Sequence, residues 1–485
     1  MPRRPADAAR PHPNVIFMVL LIGITAYALL QSLIAPVIAT LIVALHTTQN
    51  TATWLMTGYL LAAAVATPIL GRIGDKVGKE RMLILVLLAL TVGSGLAAIS
   101  HSIGLMIVAR VIQGLGGGVL PLAFGIIRDE FPAAKINGAI GIGSAMTAVG
   151  GGLGLLVAGP IVTHLDYHWL FWIPMIMTGA ATVATWLWVP ESPVRTPGRI
   201  SWGAAGLLSA WLVLLLLGAS EGPTWGWGSV KVLGLFVAAA VCLPIWIWSE
   251  LRSKQPLIDM RMMRAPAVWT TNLVALLFGV GMYSLMTFLP QLVQTPKAIA
   301  GYGLSASITQ SGIYLLPMTI GMFVFGIAAA PLAARIGLKG VLLLGCVISV
   351  PGYLLLAVGH SQPWQIYVVS CLLGISIGLA FSSMSAIVVK SVQPTQVGVA
   401  SGMNANIRTI GGALGSSIAS SILASGMTAK DVFPKESGYT HVFWLLTVVA
   451  VLGAFAAVIV PAARRSATAP GAAEPVADDA APATV

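Results

Sequence analysis

Gly71-Arg72-Ile73-Gly74-Asp75-Lys76-Val77-Gly78-Lys79-Glu80-Arg81 is the stretch on which the reading of this chain turns. Six of its eleven residues are charged, yet an apolar run ends near Leu70 and another starts near Met82. A segment this polar between two hydrophobic runs of spanning length reads as a tight turn in water on one side of a bilayer. Gly71 and Gly74 let two helix ends approach closely, Gly78 permits a turn with positive φ, and Asp75 stands where it can meet the N-terminus of a neighbouring helix.

Composition agrees. A chain of 485 residues with 57% hydrophobic and 8% charged residues, and a mean hydropathy of +0.91, is far too apolar for a soluble domain and implies an all-α polytopic membrane protein. The net charge of +11 does not point to nucleic acid, because Lys and Arg fall in short loops between apolar runs rather than on one exposed face. Cys242, Cys346 and Cys371 each lie within an apolar run, with no CxxC pair and no His at ligand spacing, so neither a disulfide nor a metal site is expected, and no cofactor. Residues 1–14 carry Arg3, Arg4 and Arg10 and read as a cytoplasmic tail, because the apolar segment that follows is too long for a cleaved signal peptide.

Apolar runs of spanning length fall at 15–43, 53–70, 82–101, 104–127, 137–162, 169–189, 202–220, 231–250, 268–290, 307–333, 340–359, 364–389, 398–426 and 440–462, fourteen in all. An even number puts both ends of the chain on one side. Twenty Lys and Arg residues fall on that side, against Lys231, Lys297, Lys430 and Lys435 on the other, which predicts cytoplasmic termini. Beyond Arg465 the chain is rich in Ala, Pro and acidic residues and reads as disordered.

An internal repeat sets the architecture. Pro68-Ile69-Leu70-Gly71-Arg72-Ile73-Gly74 recurs as Pro331-Leu332-Ala333-Ala334-Arg335-Ile336-Gly337 at the end of the tenth span. Gly141 with Gly150-Gly151-Gly152-Leu153-Gly154 in the fifth span is echoed by Gly402 with Gly411-Gly412-Ala413-Leu414-Gly415 in the thirteenth. A shift of eight spans fits two six-helix bundles with two helices inserted between them. The expected division is a tail at 1–14, a first bundle at 15–190, the inserted pair at 191–266, a second bundle at 267–463 and a tail at 464–485. Leu338 stands in the second copy where the first has Asp75.

Two cations remain inside spans, Arg110 and Arg408. An arginine in mid-span costs roughly 2.5 to 3.5 kcal/mol, so it faces a cavity or a partner, or snorkels to the interface. The fifth span, with Gly150, Gly151, Gly152, Gly154 and Gly159-Pro160, presents a face nearly without side chains, suited to close helix contact. No Asp or Glu occurs between Asp259 and Asp431. A cavity this poor in acids selects neutral, zwitterionic or anionic amphiphiles over dications. Tyr27, Gln31, Asn272, Asn404 and Arg408 are the cavity candidates, although a single polar group in a span is more often a helix-to-helix hydrogen bond than a ligand contact.

These motifs resemble the major facilitator superfamily, over roughly residues 14 to 462, and within it the fourteen-helix drug:proton antiporter branch. Gly71, Asp75, Gly78, Lys79 and Arg81 match the family's loop between helices 2 and 3, which the resemblance makes part of a cytoplasmic latch; Asp129 is its expected partner for Arg81, and Asp75 is expected at the thirteenth span near Val397. Arg110, Gln113 and Gly114 match the family's Arg-x-x-Gln-Gly, associated with proton coupling. The glycine-rich fifth span resembles the antiporter motif of exporters, although its central Gly-Pro falls on Gly154-Leu155. The run Glu221-Gly222-Pro223-Thr224-Trp225-Gly226-Trp227 also belongs to that branch and makes Glu221 a further proton-coupling candidate. The acid that many such antiporters carry in helix 1 is absent.

The resemblance implies a monomeric secondary transporter in the cytoplasmic membrane, exporting small amphiphiles, drugs or antibiotics, in exchange for protons by alternating access. A dedicated exporter or importer of one metabolite on the same fold is the first alternative. A membrane enzyme or receptor is the second, against which stands the absence of a nucleophile elbow, a His-Cys-Asp/Glu cluster or a phosphate-binding Gly-Lys-Ser/Thr loop.

Overall fold

The computed structural model describes residues 12–192, 201–253, 256–393, 396–425, 427 and 433–461. The tails expected at 1–14 and 464–485 lie outside them except for residues 12–14, as do Arg195, Arg199, Lys254 and Lys430 of the charge count. Among the described residues there are helices and no strands.

In chain order the long helices are α1 (Pro13–Ser32), α2 (Gln49–Val77), α3 (Lys79–Ala98), α4 (Ile103–Glu130), α5 (Ala133–His164), α6 (Trp169–Trp188), α7 (Trp202–Trp225) and α8 (Val230–Arg252). They continue as α9 (Pro266–Gln294), α10 and α11 (308–336 and 338–358, the two arms of Ile308–Val358), α12 (Pro363–Ser391), α13 (Val397–Ser425) and α14 (Glu436–Ile459). Ser102, Ser201 and Ser229 accept hydrogen bonds from Leu105, Ala204 and Val232 at the starts of α4, α7 and α8, and Ser307 with Gln310 forms a capping box on α10.

Twelve of the described helices are long and apolar enough to cross a membrane. The 51 residues of Ile308–Val358 would reach about 76 Å as one rod, over twice a hydrocarbon core. The rod breaks at Gly337, with φ 77° and ψ 159°. Its arms then run in opposite directions along α12: Gly374 and Gly378 meet Met318 and Met322 of α10 in ascending order, whereas Gly345 and Gly352 of α11 meet Ser376 and Leu373 in descending order. α13 falls short of the apolar criterion through its glycines, serines and asparagines, yet its 29 residues match a span in length. These lengths are consistent with fourteen crossings.

Exposed apolar side chains such as Leu85, Val183, Val241, Ile320 and Phe455 face outward, as lipid contact requires. Exposed tryptophans cluster near helix ends, Trp188, Trp202, Trp248 and Trp269 at one end of the bundle and Trp169, Trp225 and Trp364 at the other. Arg252 lies 4.4 Å over Trp248 and Lys231 5.5 Å over Trp225, the snorkelling arrangement of an interface.

One hydrophobic core joins α1, α3, α4 and α6, and a second joins α9 to α12 and α14. α7 packs against both α2 and α13, and α8 against α7. Backbones meet where glycine stands: a Cβ on Gly150 or Gly154 of α5 would sit 2.6 Å from Thr25 O and 2.8 Å from Leu29 O of α1. In α13, Gly411 abuts Leu276 O, and a Cβ on Gly415 would sit 2.8 Å from Val280 Cα, both in α9. The α1–α5 and α9–α13 contacts are thus the same contact eight helices apart.

Two expectations are corrected. The stretch 71–81 is not a loop: α2 continues through Asp75 to Val77, turns at Gly78 alone (φ 127°), and α3 starts at Lys79. Gly71 and Gly74 therefore lie within α2, packed on Pro121 and Leu122 of α4. The second copy turns earlier, at Gly337, so Leu338 lies beyond its turn rather than at a helical position matching Asp75.

Overpacking costs about 1 to 3 kcal/mol. Gly411→Leu is expected to lower the thermal unfolding midpoint of purified protein by several degrees, whereas Gly104→Ala, which meets nothing within 4 Å, leaves it unchanged or raises it slightly.

Candidate functional site

At the Gly78 turn, Lys79 is buried between two acids: its Nζ lies 2.6 Å from Asp129 Oδ2 in α4 and 3.9 Å from Asp75 Oδ1 in α2. The lysine stem passes over Gly125, where a Cβ would stand 2.8 Å from Lys79 Cδ. The Ser192 hydroxyl also donates to Asp129. Arg81 pairs instead with Glu191, Nε to Oε2 2.8 Å, at the rim. The expected partnership of Asp129 with Arg81 is therefore corrected: the buried acid takes the shorter, deeper cation, and Arg81, more than half exposed, reaches outward.

Asp75 lies at the start of α13, 3.7 Å and 3.8 Å from the Cβ position of Gly398, and its Oδ2 has no hydrogen-bond partner among the described residues. Lys79 alone does not neutralise both carboxylates; the Arg72 charge and the partial positive charge of the α13 N-terminus also favour the Asp75 carboxylate. Alongside, Thr67 and Gly71 of α2, Pro121 of α4 and Gly398 and Gly402 of α13 make a backbone-close seal between the halves.

Above the seal lies a central cavity of about 120 Å³, walled by α1, α2, α4, α5, α9, α10, α12 and α13. Tyr27, Gln31 and Arg408 line it, with Tyr59, Tyr283 and Phe381, and Gln31 Nε2 donates to the Tyr283 hydroxyl at 3.3 Å. Asn272 and Asn404 do not line it. The Asn404 amide donates to Asn272 Oδ1 at 2.9 Å, so this pair takes the helix-to-helix alternative. Among the described residues, no Asp or Glu contributes to the wall.

Arg110 reaches the same wall but does not snorkel; it is 1% exposed. Its Nε donates to Leu55 O and its NH1 to Gln113 Oε1, each at 2.8 Å, and its guanidinium lies 4.4 Å over the Tyr59 ring. Gln113 in turn donates to Ser94 Oγ at 3.0 Å. One cation thereby ties α2, α3 and α4 together.

Glycine residues 150 and 154 hold α5 to α1, while Gly152 and Gly159 hold it to α10, the latter with a Cβ position 2.6 Å from Thr309 N. Gly151 faces open space on the cavity wall, and Pro160 lies inside α5, which continues to His164.

The cavity adjoins a larger space of about 370 Å³ at the end away from the Gly78 turn, sharing Ala35, Met56, Leu60, Tyr283 and Thr287 as walls. Glu221 lines this outer space and accepts a hydrogen bond from Thr224 Oγ1 at 2.8 Å. At that end too, Asp166 Oδ2 lies 2.7 Å from His168 Nδ1. Against a desolvation cost that raises it, the His168 ring and the backbone amides of Tyr167 and His168 hold the Asp166 carboxyl below its ordinary range.

Phe381 was the least legible part of this wall: it sits in an apolar helix where a ring is ordinary core, and only the shared cavity separates it from that.

The sequence model of the Major Facilitator Superfamily matches residues 20–416 and 298–483. The chain belongs to that superfamily. It is 27% identical to multidrug resistance protein 3 of Bacillus subtilis (strain 168) over 89% of this chain and 84% of the relative. It is likewise 27% identical to the tetracenomycin C resistance and export protein of Streptomyces glaucescens, over 89% and 79%. Among solved structures, the human organic anion transporter MFSD10 superposes with a TM-score of 0.65 at 16% identity, covering 92% of this chain and all of that one. The facilitator fold and the cavity between its halves make this a multi-pass membrane transporter of small substrates.

Removing one partner of a buried ion pair costs about 3 to 5 kcal/mol, because a charge is left unpaired. Lys79→Met is expected to destabilise the protein strongly, and Lys79→Met with Asp129→Leu to recover more than half of the loss, as read by thermal unfolding.

Proposed function

We propose that this facilitator exports small amphiphilic compounds, drugs or antibiotics, across the cytoplasmic membrane in exchange for protons, as a monomer of fourteen spans with both termini in the cytoplasm. The observation that carries the reading is the closure pattern: the cavity is sealed at the Gly78 end and adjoins a larger space at the other. The positive-inside bias supports assigning the Gly78 end to the cytoplasm. The structure then corresponds to the outward-facing state, with Lys79, Asp75 and Asp129 as the latch on the cytoplasmic side.

An acid-free wall carrying Arg110 and Arg408 supports neutral or anionic substrates over dications, since no carboxylate replaces the water a dication loses. Relatives described as multidrug resistance and export proteins support the direction of transport.

Glu221 supplies the coupling. In the outward-facing state it borders the larger space, where it meets protons from outside, and closing that space takes the side chain out of water. A proton taken up from outside therefore favours the inward-facing state, and release into the cytoplasm favours return. Arg110 holds α2, α3 and α4 in register during this exchange.

The test is proton movement in proteoliposomes on addition of an amphiphilic drug panel. Wild type is expected to move protons when substrate is added; Glu221→Gln keeps binding and loses proton movement, and Arg110→Ala loses both. Binding without proton movement by wild type for every compound would rule out antiport.

A further inference from the structure

Arg110 and Arg408 share a cavity but not a condition. Arg110 spends its Nε and NH1 on protein acceptors. Arg408 is 7% exposed, and its Nε has no hydrogen-bond partner among the described residues. Asn406, on the same helix, is 2% exposed, and neither its Nδ2 nor its Oδ1 has a partner among them. Both side chains line the central cavity. Asn404, two residues before, is by contrast consumed by Asn272.

Buried polar groups are almost always hydrogen-bonded, and a buried cation without a carboxylate partner is costlier still. Two adjacent exceptions on a cavity wall identify where a ligand completes the structure. The Arg408 guanidinium lies 4.0 Å over the Phe381 ring and is hydrogen-bonded to the Tyr283 side chain, with Tyr27 close enough to interact with its charge, so its Nε is the donor left open. Soft apolar side chains, Met56, Leu60, Leu155, Met282, Met286 and Met322, make up much of the remaining wall.

Resting on the reading of this cavity as the transport site, we propose that Arg408 and Asn406 form its anion-recognition subsite, taking the carboxylate, phenolate or enolate of a flat aromatic amphiphile. Arg408 donates to the anionic oxygen, the Asn406 amide donates beside it, and the methionines cover the apolar body. Phe381 and Tyr283 provide ring faces for a planar ligand. The subsite lies on α13, whose position is set by Gly411 and Gly415 against α9, so it moves with the second half when the halves rock.

The test is calorimetric titration of the purified full chain at pH 8 with 2-naphthoate and with its neutral isostere 2-naphthamide. Wild type is expected to bind naphthoate about tenfold more tightly than the amide, the range of a charge-assisted hydrogen-bonded contact. Arg408→Met and Asn406→Leu lower naphthoate affinity by about tenfold and change the amide by less than about twofold; Arg408→Lys, which keeps charge but loses the fork, falls between. Equal affinity of wild type for both ligands overturns the proposal, as does equal loss of both ligands in both variants. The wild-type comparison decides even where Arg408→Met does not fold. Export of neutral compounds without naphthoate preference sinks the subsite and leaves the transport reading intact. Naphthoate preference lost in the variants, with no proton movement for any compound, does the reverse.

Discussion

In a bilayer no hydrophobic force draws one apolar helix to another, so this fold depends on how closely its backbones can approach. Gly150 and Gly154 bring α5 onto α1, and Gly411 and Gly415 bring α13 onto α9. Those contacts set the walls of the cavity. They fix the face of α13 that carries Asn406 and Arg408, and they free α5 and α13 to use their other sides, on α10 and α2, for the joint between the halves. Glycine here is a packing element, and its small size transmits position from one end of the membrane to the middle.

Charge is distributed less symmetrically than glycine. The first half extends α2 past its repeat to carry Asp75 and then turns into Lys79 at Gly78, whereas the second half turns already at Gly337. A buried lysine between two acids therefore secures one half only. With Asp75 beside the start of α13, the ion pairs of the first half report on the position of the second.

Hydropathy and the internal repeat made the helices and their pairing readable, because spanning length and glycine spacing are properties of the chain itself. The end of α2 was not readable in the same way: apolar residues stop near Leu70, yet the helix continues through Arg72 and Asp75, because Lys79 and the α13 N-terminus meet the acid in space. Nor could sequence choose between Lys79 and Arg81 as the partner of Asp129; they are two residues apart, and depth decided it. At the candidate site, Tyr27, Gln31 and Arg408 stood out as polar groups in apolar runs, and they do meet in the cavity. Asn272 and Asn404 stood out equally, yet they meet each other rather than the cavity. Type and spacing alone do not distinguish a side chain that waits for a ligand from one that has found a neighbour.

The inserted helix α7 gives the molecule a front and a back. The Thr57 and Ser220 hydroxyls, 2.8 Å apart, fasten it to α2, and beyond its end the Trp227 indole, donating to Ser421 Oγ at 2.6 Å, fastens the hairpin to α13. The seam where α2 meets α13 is thus covered on its flank by α7, which packs on both. On the flank where α2 meets α13, a compound dissolved in the lipid would meet α7 and α8 before the junction of the halves.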